Sequence, residues 1–338
     1  MILFTLATSV PFALVALASL WNGAFGWLAL GYMTVLVFVL DRLVARQAVN
    51  ADPEAEFPNA PVLLIGLGVA HLALLGLATW AAGGPSGLTG VQRVVIMLSA
   101  GLVFGQISHP VAHELIHQSP RAHRLLGRLI YTSLLFGHHA SAHLQVHHRH
   151  VGSDSDPNSA RLGTGFYRFA LRAGPASFVA GMRAENAMSR RAGRPVWRHP
   201  YALYLGGALA CVGAVLATLG ASGLAAFVAI CLYAQLQILL SDYVQHYGLR
   251  RRVLASGALE PVGPQHSWNA PEWFSSAVTL NAPRHSDHHV TPSRPYPALQ
   301  LNREDMPCLP RSLPVMAVLA LVPPIWRRVM DRRCARWQ

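Results

Sequence analysis

Histidine is the residue type that this chain arranges in patterns able to bind metal. Seventeen of the 338 residues are histidines, and nine of these fall in the segments HELIH, HLQVHH, DYVQHYGL and RHSDHH. The nine are His113, His117, His143, His147, His148, His246, His285, His288 and His289. Spacings of three and four positions put imidazoles on one face of a helix. Imidazole suits iron, zinc, copper and nickel, and nine ligands exceed what one ion uses, so the pattern predicts two ions.

The composition indicates that these histidines belong to a membrane protein. Hydrophobic residues make up 52% of the chain and charged residues only 12%, with a mean hydropathy of +0.33, against about 25% charged residues in soluble domains. A disordered chain is excluded because such chains are poor in apolar residues. All 27 basic residues are arginines, and they flank apolar segments instead of clustering on a polar domain, so no nucleic-acid partner is expected.

Six apolar windows approach the roughly 20 residues that a spanning helix needs. They predict an all-α membrane protein with six transmembrane helices and one domain over 1–338. The windows are 1–21, 25–40, 61–82, 91–112, 201–219 and 222–241, and segments 113–200 and 242–338 are expected to form a histidine-rich cap. The first window lacks the positive region of a secretory signal and is predicted to stay as a helix. Segments 129–137 and 315–326 are apolar but too short to span.

Arginine placement predicts the orientation. Only Arg93 lies near a turn on the far side; the other 26 arginines lie in or beside the polar stretches 41–60, 113–200 and 242–338. Positive residues favour the cytoplasmic side. We therefore expect a multi-pass protein of the inner (cytoplasmic) membrane with both termini and all four histidine segments in the cytosol.

The four segments HELIH, HLQVHHRHVGSDSDPNSAR, DYVQHYGL and NAPRHSDHH resemble the histidine motifs of the integral-membrane alkane 1-monooxygenases, within the membrane fatty-acid desaturase and hydroxylase superfamily. The likeness runs from about residue 90 to Met330 and includes GFYRFALR and PPIWRRVMD. It implies a desaturase-like fold in which the nine histidines hold two iron ions. The implied activity is O2-dependent hydroxylation of the terminal carbon of an alkane or similar alkyl chain.

The chain departs from that family at four places. Ala142, Val146 and Gln245 replace the usual Glu, Gly and Glu, and Ala282-Pro283 precedes RHSDHH. Carboxylates near a metal tune its imidazole ligands, so an acyl-lipid or fatty-acid desaturase or hydroxylase, or a xylene-type monooxygenase, stays open as an alternative. The acidic residues that remain as candidates to support the ligands are Glu114, Asp242 and Asp287.

Two other classes of protein fit part of the pattern. An intramembrane zinc protease would use His113 and His117 as ligands and Glu114 as base, but leaves seven clustered histidines unused. A non-catalytic metal or haem protein explains the histidines but provides no pocket on the lipid side. The other histidines are placed outside the site: His71 inside the third window and away from the four segments, His109, His138, His139 and His150 near those segments, and His123, His199 and His266 as surface residues. The turn at 154–157 is expected to lead the chain back toward the histidines.

Electrons are expected from another protein. The four cysteines form no CxxC pair, and there is no Rossmann glycine fingerprint, so the chain carries no recognisable redox centre of its own. A rubredoxin- or ferredoxin-type donor with its reductase is the predicted partner, beside the alkyl substrate, O2 and membrane lipid. Such donors are acidic, and the arginines expected to attract them are Arg250, Arg251, Arg252, Arg327, Arg328, Arg332, Arg333 and Arg336.

Overall fold

A computed structural model describes residues 1–21, 24–44 and 47–337. Five of its helices are long and apolar enough to cross a membrane: α1 (Ile2–Leu20), α2 (Ala24–Leu43), α3 (Asn59–Gly83), α4 (Gly90–His117) and α8 (Pro200–His246). The others are α5 (Arg121–Ser133), α6 (138–150), α7 (Phe166–Arg191), α9 (Trp273–Val278), α10 (His285–Val290), α11 (Leu313–Ala320) and α12 (Pro323–Cys334). Within the described ranges there are isolated bridges but no strands. The predicted all-α class is confirmed.

The number of apolar helices differs from the six predicted windows because α8 contains two of them. Its 47 residues include both 201–219 and 222–241, and the helix is interrupted at Gly220, where φ is 65° and ψ is −161°. Glycine adopts this left-handed φ without a steric penalty. Near its start, α8 contacts α6, where the hydroxyl oxygens of Tyr204 and Ser141 lie 2.9 Å apart. At its other end, α8 contacts α10, where the Nε2 atoms of His246 and His285 lie 2.9 Å apart. The chain therefore folds back at Gly220, and the count of six spans stays a prediction.

Small residues bring α4 and the second half of α8 into close contact. A Cβ atom on Gly101 would lie 2.4 Å from the ring of Tyr233, and one on Gly105 would lie 2.3 Å from Cβ of Gln237. Small residues allow such close helix approach inside membranes. This packing sets the end of α4 that carries HELIH beside the end of α8 that carries His246.

The two short apolar segments are packed against the helices. Segment 129–137 covers the end of α5, where Ile130, Tyr131 and Leu134 are buried. Segment 315–326 crosses from α11 into α12, whose buried Trp326 contacts the rings of Tyr243 and Tyr247. Neither forms a spanning helix, as their lengths predict.

A buried arginine fixes the segment that leads into α10. Arg284 donates to the carbonyl oxygens of Ala48 (2.7 Å), Val49 (3.1 Å) and Leu299. Burial lowers the pKa of Arg284 to about 10, so the group remains charged at neutral pH. These bonds attach the polar stretch after α2 to the residue immediately before His285.

Candidate metal centre

The nine histidines of the four segments lie together in two groups. One nitrogen from each ring lies within 4.8 Å of those of the other members of its group. The first group holds five residues: His113, His117, His143, His148 and His288. The second holds four: His147, His246, His285 and His289.

In the first group the Nε2 atoms converge. His143 Nε2 lies 3.1 Å from His117 Nε2 and 2.9 Å from His148 Nε2, which lies 3.1 Å from His288 Nε2. A neutral imidazole has one N–H and one lone pair, so these three contacts in a row contain at most two hydrogen bonds. His113 Nε2 is buried and has no hydrogen-bond partner among the described residues.

The second group is built the same way. His285 Nε2 lies 2.9 Å from His246 Nε2 and 3.2 Å from His289 Nε2. His147 completes the group, its ring centroid 4.5 Å from that of His246 and 4.8 Å from that of His289. The groups adjoin each other, since the ring centroids of His148 and His289 are 4.7 Å apart.

A π-helical turn decides which histidines of HLQVHH go together. The i, i+4 spacing of His143 and His147 predicts one shared face, yet they lie in different groups, and His143 is joined by His148 instead. Residues His143–His147 form a π-helical turn, in which the backbone bonds run from i to i+5. Residues five apart therefore lie over each other, and His147 turns toward the second group.

The donor sets fit metal ions. A metal–imidazole bond of about 2.1 Å places adjacent ligand nitrogens roughly 3.0 to 3.4 Å apart, which matches the Nε2 separations of 2.9 to 3.2 Å. Metal binding requires neutral imidazole. Burial, with the neighbouring imidazoles, lowers the pKa values of His143, His148, His285 and His288 well below the usual value. Their lone pairs are thus available at neutral pH.

Within the described ranges, Asp156 is the residue whose carboxylate bonds directly to a histidine of the two groups. Its Oδ2 accepts from His147 Nδ1 at 2.8 Å and from Ser159 Oγ at 2.6 Å. Burial alone would raise the pKa of Asp156, but the charge interaction with His147, together with these bonds and the Asn158 amide, outweighs it and lowers the pKa. With Nδ1 donating to Asp156, Nε2 of His147 is left for the second group and has no other partner among the described residues. The sequence signal was the position of Asp156 in the turn directly after HHRH.

The three acidic residues predicted to support the ligands have other partners. Asp242 accepts from Asn158 Nδ2 at 2.6 Å, and Asn158 N donates to Asp156, so Asp242 reaches His147 through two residues. Asp287 accepts from Arg294 and from the Gln300 amide.

Glu114 is the third of these acidic residues. Its Oε2 accepts from the Tyr296 amide at 3.2 Å, while its Oε1 lies 3.9 Å from His113 Nδ1, beyond hydrogen-bond range. Its carboxyl group stands next to the first group without bonding to a ligand ring.

Two of the departures from the family pattern touch each other. Gln245 Nε2 donates to the Ala282 carbonyl at 2.9 Å, a bond that a glutamate carboxylate at this position has no hydrogen to make. It connects the residue before His246 to the segment before His285. Ala142 packs on α7, where a Cβ atom on Gly181 would lie 3.1 Å from its amide nitrogen.

The structure places the remaining histidines outside both groups. His71 is buried in the membrane helices and bonds to Ser108 at 2.9 Å and Ser133 at 3.0 Å, and His109 bonds to the Tyr131 hydroxyl at 2.9 Å. The surface prediction was wrong for His266, which is 1% exposed and bonds to Glu260 at 3.0 Å. His266 lies in a short polar loop, and the sequence of such a loop does not predict that one of its residues is buried.

A small cavity of about 10 Å³ adjoins the histidines. Its lining includes His113, His285 and His288, with the carboxyl group of Glu114 and the apolar side chains of Leu280 and Leu299. This volume holds about one water-sized molecule. An alkyl chain is too large for it.

Known proteins are similar in sequence to this chain over most of its length. Residues 89–319 match the fatty acid desaturase family. The chain is 32% identical to alkane 1-monooxygenase 2 of Pseudomonas aeruginosa over 94% of this chain and 86% of the relative. It is 33% identical to alkane 1-monooxygenase 1 of the same organism, over 87% and 78%.

A xylene/toluene monooxygenase hydroxylase component of Pseudomonas putida is more distant. It is 27% identical over 70% of this chain and 63% of the relative. The family resemblance in the four histidine segments is thereby confirmed, and the apolar helices agree with it. The chain is a multi-pass membrane protein that belongs to the fatty acid desaturase family and, within it, to the alkane 1-monooxygenases.

Proposed function

We propose that this protein is a di-iron monooxygenase that uses O2 and external electrons to hydroxylate the terminal carbon of an alkane or similar alkyl chain. The observation that carries the proposal is the meeting of nine imidazoles in two adjoining groups at the ends of apolar helices. The alkane 1-monooxygenases named above support the substrate class.

The chain supplies the ligands, their orientation and a dry environment. When bound, two irons would supply the reductive activation of O2 that a C–H bond requires. His113, His117, His143, His148 and His288 would hold one ion, and His147, His246, His285 and His289 the other. Asp156 fixes the tautomer of His147, and Glu114 places a carboxyl group at the cavity, where it can hold a proton beside His113.

The apolar surroundings suit a substrate that partitions into lipid. Leu280 and Leu299 close the cavity, and α4 and α8 run from the histidines into the apolar core. A hydrophobic chain can approach along these helices without crossing water. The closed apolar wall also keeps water from the reacting carbon.

Product analysis tests this function. Purified protein is supplied with iron, a rubredoxin or ferredoxin system, 18O2 and a mixture of alkanes, fatty acids and alkyl-aromatics. We expect one labelled oxygen in a primary alcohol derived from an alkane. A new double bond without label identifies a desaturase, and labelled benzylic alcohol identifies the xylene-type activity suggested by the more distant relative.

A zinc protease is disfavoured by the arrangement of HELIH. That reading uses His113 and His117 with Glu114 as base. Here both histidines share their group with three others, and Glu114 accepts from the Tyr296 amide.

We propose that both termini and the histidine groups face the cytosol, because 26 of the 27 arginines lie on that side of the predicted spans. A reporter fused after Gln338 should read as cytosolic, and one inserted near Gly84 as periplasmic. Activity of paired phosphatase and fluorescent fusions measures this. The reverse pattern would contradict the orientation and would place the histidines away from a cytosolic reductant.

We propose that an acidic electron donor docks on the arginines of α12. Arg327 and Arg328 are exposed, and α12 packs behind His246 through the bond from the Tyr247 hydroxyl to Asp331 at 2.6 Å. Of the other predicted cluster, Arg251 is engaged with the carbonyls of Glu260 and Arg149, whereas Arg252 is exposed.

Charge reversal at Arg327 and Arg328 should therefore raise the apparent KM for the donor several-fold and change the saturated rate little, since rim charges govern encounter. Raising the salt until the Debye length falls below about 10 Å should have a similar effect. Reversal of Arg168 and Arg172 on α7 provides the matched control. If neither salt nor charge reversal changed the KM for the donor, the arginines of α12 would contribute only to the orientation of the protein in the membrane.

A further inference from the structure

A second cavity lies apart from the two histidine groups, between the end of α7 and the start of α8. Its volume is about 660 Å³, within the range of ligand pockets. Its polar rim contains Ser189, Arg190, Arg194 and His199, and no acidic residue lines it among the described residues. None of these residues takes part in the proposed function.

Two hydrogen-bond donors at this rim are buried without partners. Ser189 is 9% exposed, and its Oγ has no hydrogen-bond partner among the described residues. The Nε2 atom of His199 is also buried and also has no hydrogen-bond partner among the described residues. His199 Nδ1 accepts from the Tyr201 amide at 3.2 Å, so Nε2 carries the hydrogen of the neutral ring. Buried polar groups normally have partners, and these two point to a ligand that accepts.

The charge of the rim indicates an anion. Arg190 and Arg194 both line the rim, and no carboxylate opposes them in the lining. The N-terminus of α8, which begins at Pro200, adds a partial positive charge. Arginine binds phosphate through paired N–H donors.

Apolar side chains line much of the rest of the cavity. Met182 and Leu205 line its wall, and Leu205 and Leu209 continue along α8 as exposed side chains. Trp197 is 78% exposed just before α8, and tryptophan favours the interface between membrane and water. A free phosphate ion makes no favourable contact with an apolar wall, whereas a phospholipid has both a phosphate group and apolar acyl chains.

We propose that this groove is a binding site for one anionic phospholipid, with its phosphate at Arg190, Arg194, Ser189 and His199 and an acyl chain along Leu205 and Leu209. The lipid would hold α7 and α8 together. Both helices contact Ser141 of α6, through Glu185 at 2.7 Å and Tyr204 at 2.9 Å. Because Ser141 lies two residues before His143, the bound lipid would also brace the helix that carries three of the clustered histidines.

Native mass spectrometry of the delipidated full-length protein tests the site. Given equal phosphatidylglycerol and phosphatidylcholine, the protein should retain one phosphatidylglycerol with at least tenfold preference, and phosphatidylglycerol should raise the Tm more than phosphatidylcholine does. The double variant R190Q/R194Q should lose both effects. The matched control is R168Q/R172Q, which removes two exposed arginines four positions apart on the same helix, outside the groove, and should retain them.

Three results would overturn the proposal. The first is equal retention of the two lipids by the wild-type protein. The second is equal loss in both double variants, which would show a response to net charge. The third is displacement of the lipid by millimolar inorganic phosphate, which would indicate a simple anion site. If the double variant misfolds, S189A tests the site instead, because it removes only the buried hydroxyl. It should weaken phosphatidylglycerol retention several-fold and leave the Tm of the lipid-free protein unchanged.

Discussion

Replacing His143 with alanine should remove the ion of the first group and abolish turnover. His143 Nε2 touches the Nε2 atoms of both His117 and His148, so its loss breaks the donor set at its centre. Turnover should fall by more than about 100-fold, because the loss of partners outside the ligand set already costs 10- to 100-fold. Elemental analysis should show iron falling from about two per chain toward one or fewer.

The same measurement separates the two groups. His288→Ala should act like His143→Ala, and His246→Ala should deplete the second group, because His246 Nε2 lies 2.9 Å from His285 Nε2. His123→Ala is the control, since His123 bonds to Gln118 and belongs to neither group. A wild-type protein that holds only zinc or a single iron, or His143→Ala protein with full iron content, would refute the two-iron assignment.

Replacing Asp156 with asparagine should weaken metal binding in the second group by about 10- to 100-fold. The Asp156 carboxylate accepts from His147 Nδ1 at 2.8 Å and is 3% exposed. A neutral amide removes the charge that fixes the ring with Nε2 toward the group. Competition with a chelator, read by iron retained per chain, measures the effect.

Asp154→Asn supplies the comparison for this experiment. Asp154 lies in the same turn, but its side chain is 72% exposed and pairs with Arg161 and Arg250 at the surface, where ion pairs contribute little. It should retain wild-type iron affinity. If Asp156→Asn retained it as well, the bond to His147 would have no role in holding the ion.

Much of the fold could be predicted because a membrane helix is identified by a local run of about 20 apolar residues. The apolar windows 61–82 and 91–112 correspond to α3 and α4, with ends that differ by up to five residues. The windows 201–219 and 222–241 are both present in α8. The gap between these two windows, at 220–221, predicted a break, and the backbone angles of Gly220, with φ of 65° and ψ of −161°, agree with it.

The supporting contacts around the histidines were harder to predict. Asp156 was expected only to turn the chain, and His266 was expected at the surface. Both are buried: His266 bonds to Glu260 of its own loop, while Asp156 connects through Asn158 to Asp242 of α8. Such contacts depend on where loops pack, and residue type carries little information about it.

The sequence by itself determined the helical membrane class and the nine candidate ligands, because apolar length and histidine spacing are local properties, and the resemblance of the four histidine segments indicated the family. Only the tertiary structure decided how the nine divide. The π-helical turn His143–His147 groups His143 with His148, five positions on, instead of with His147. That division depends on backbone register within α6 and on the meeting of α4, α6, α8 and α10, which packing fixes and spacing does not.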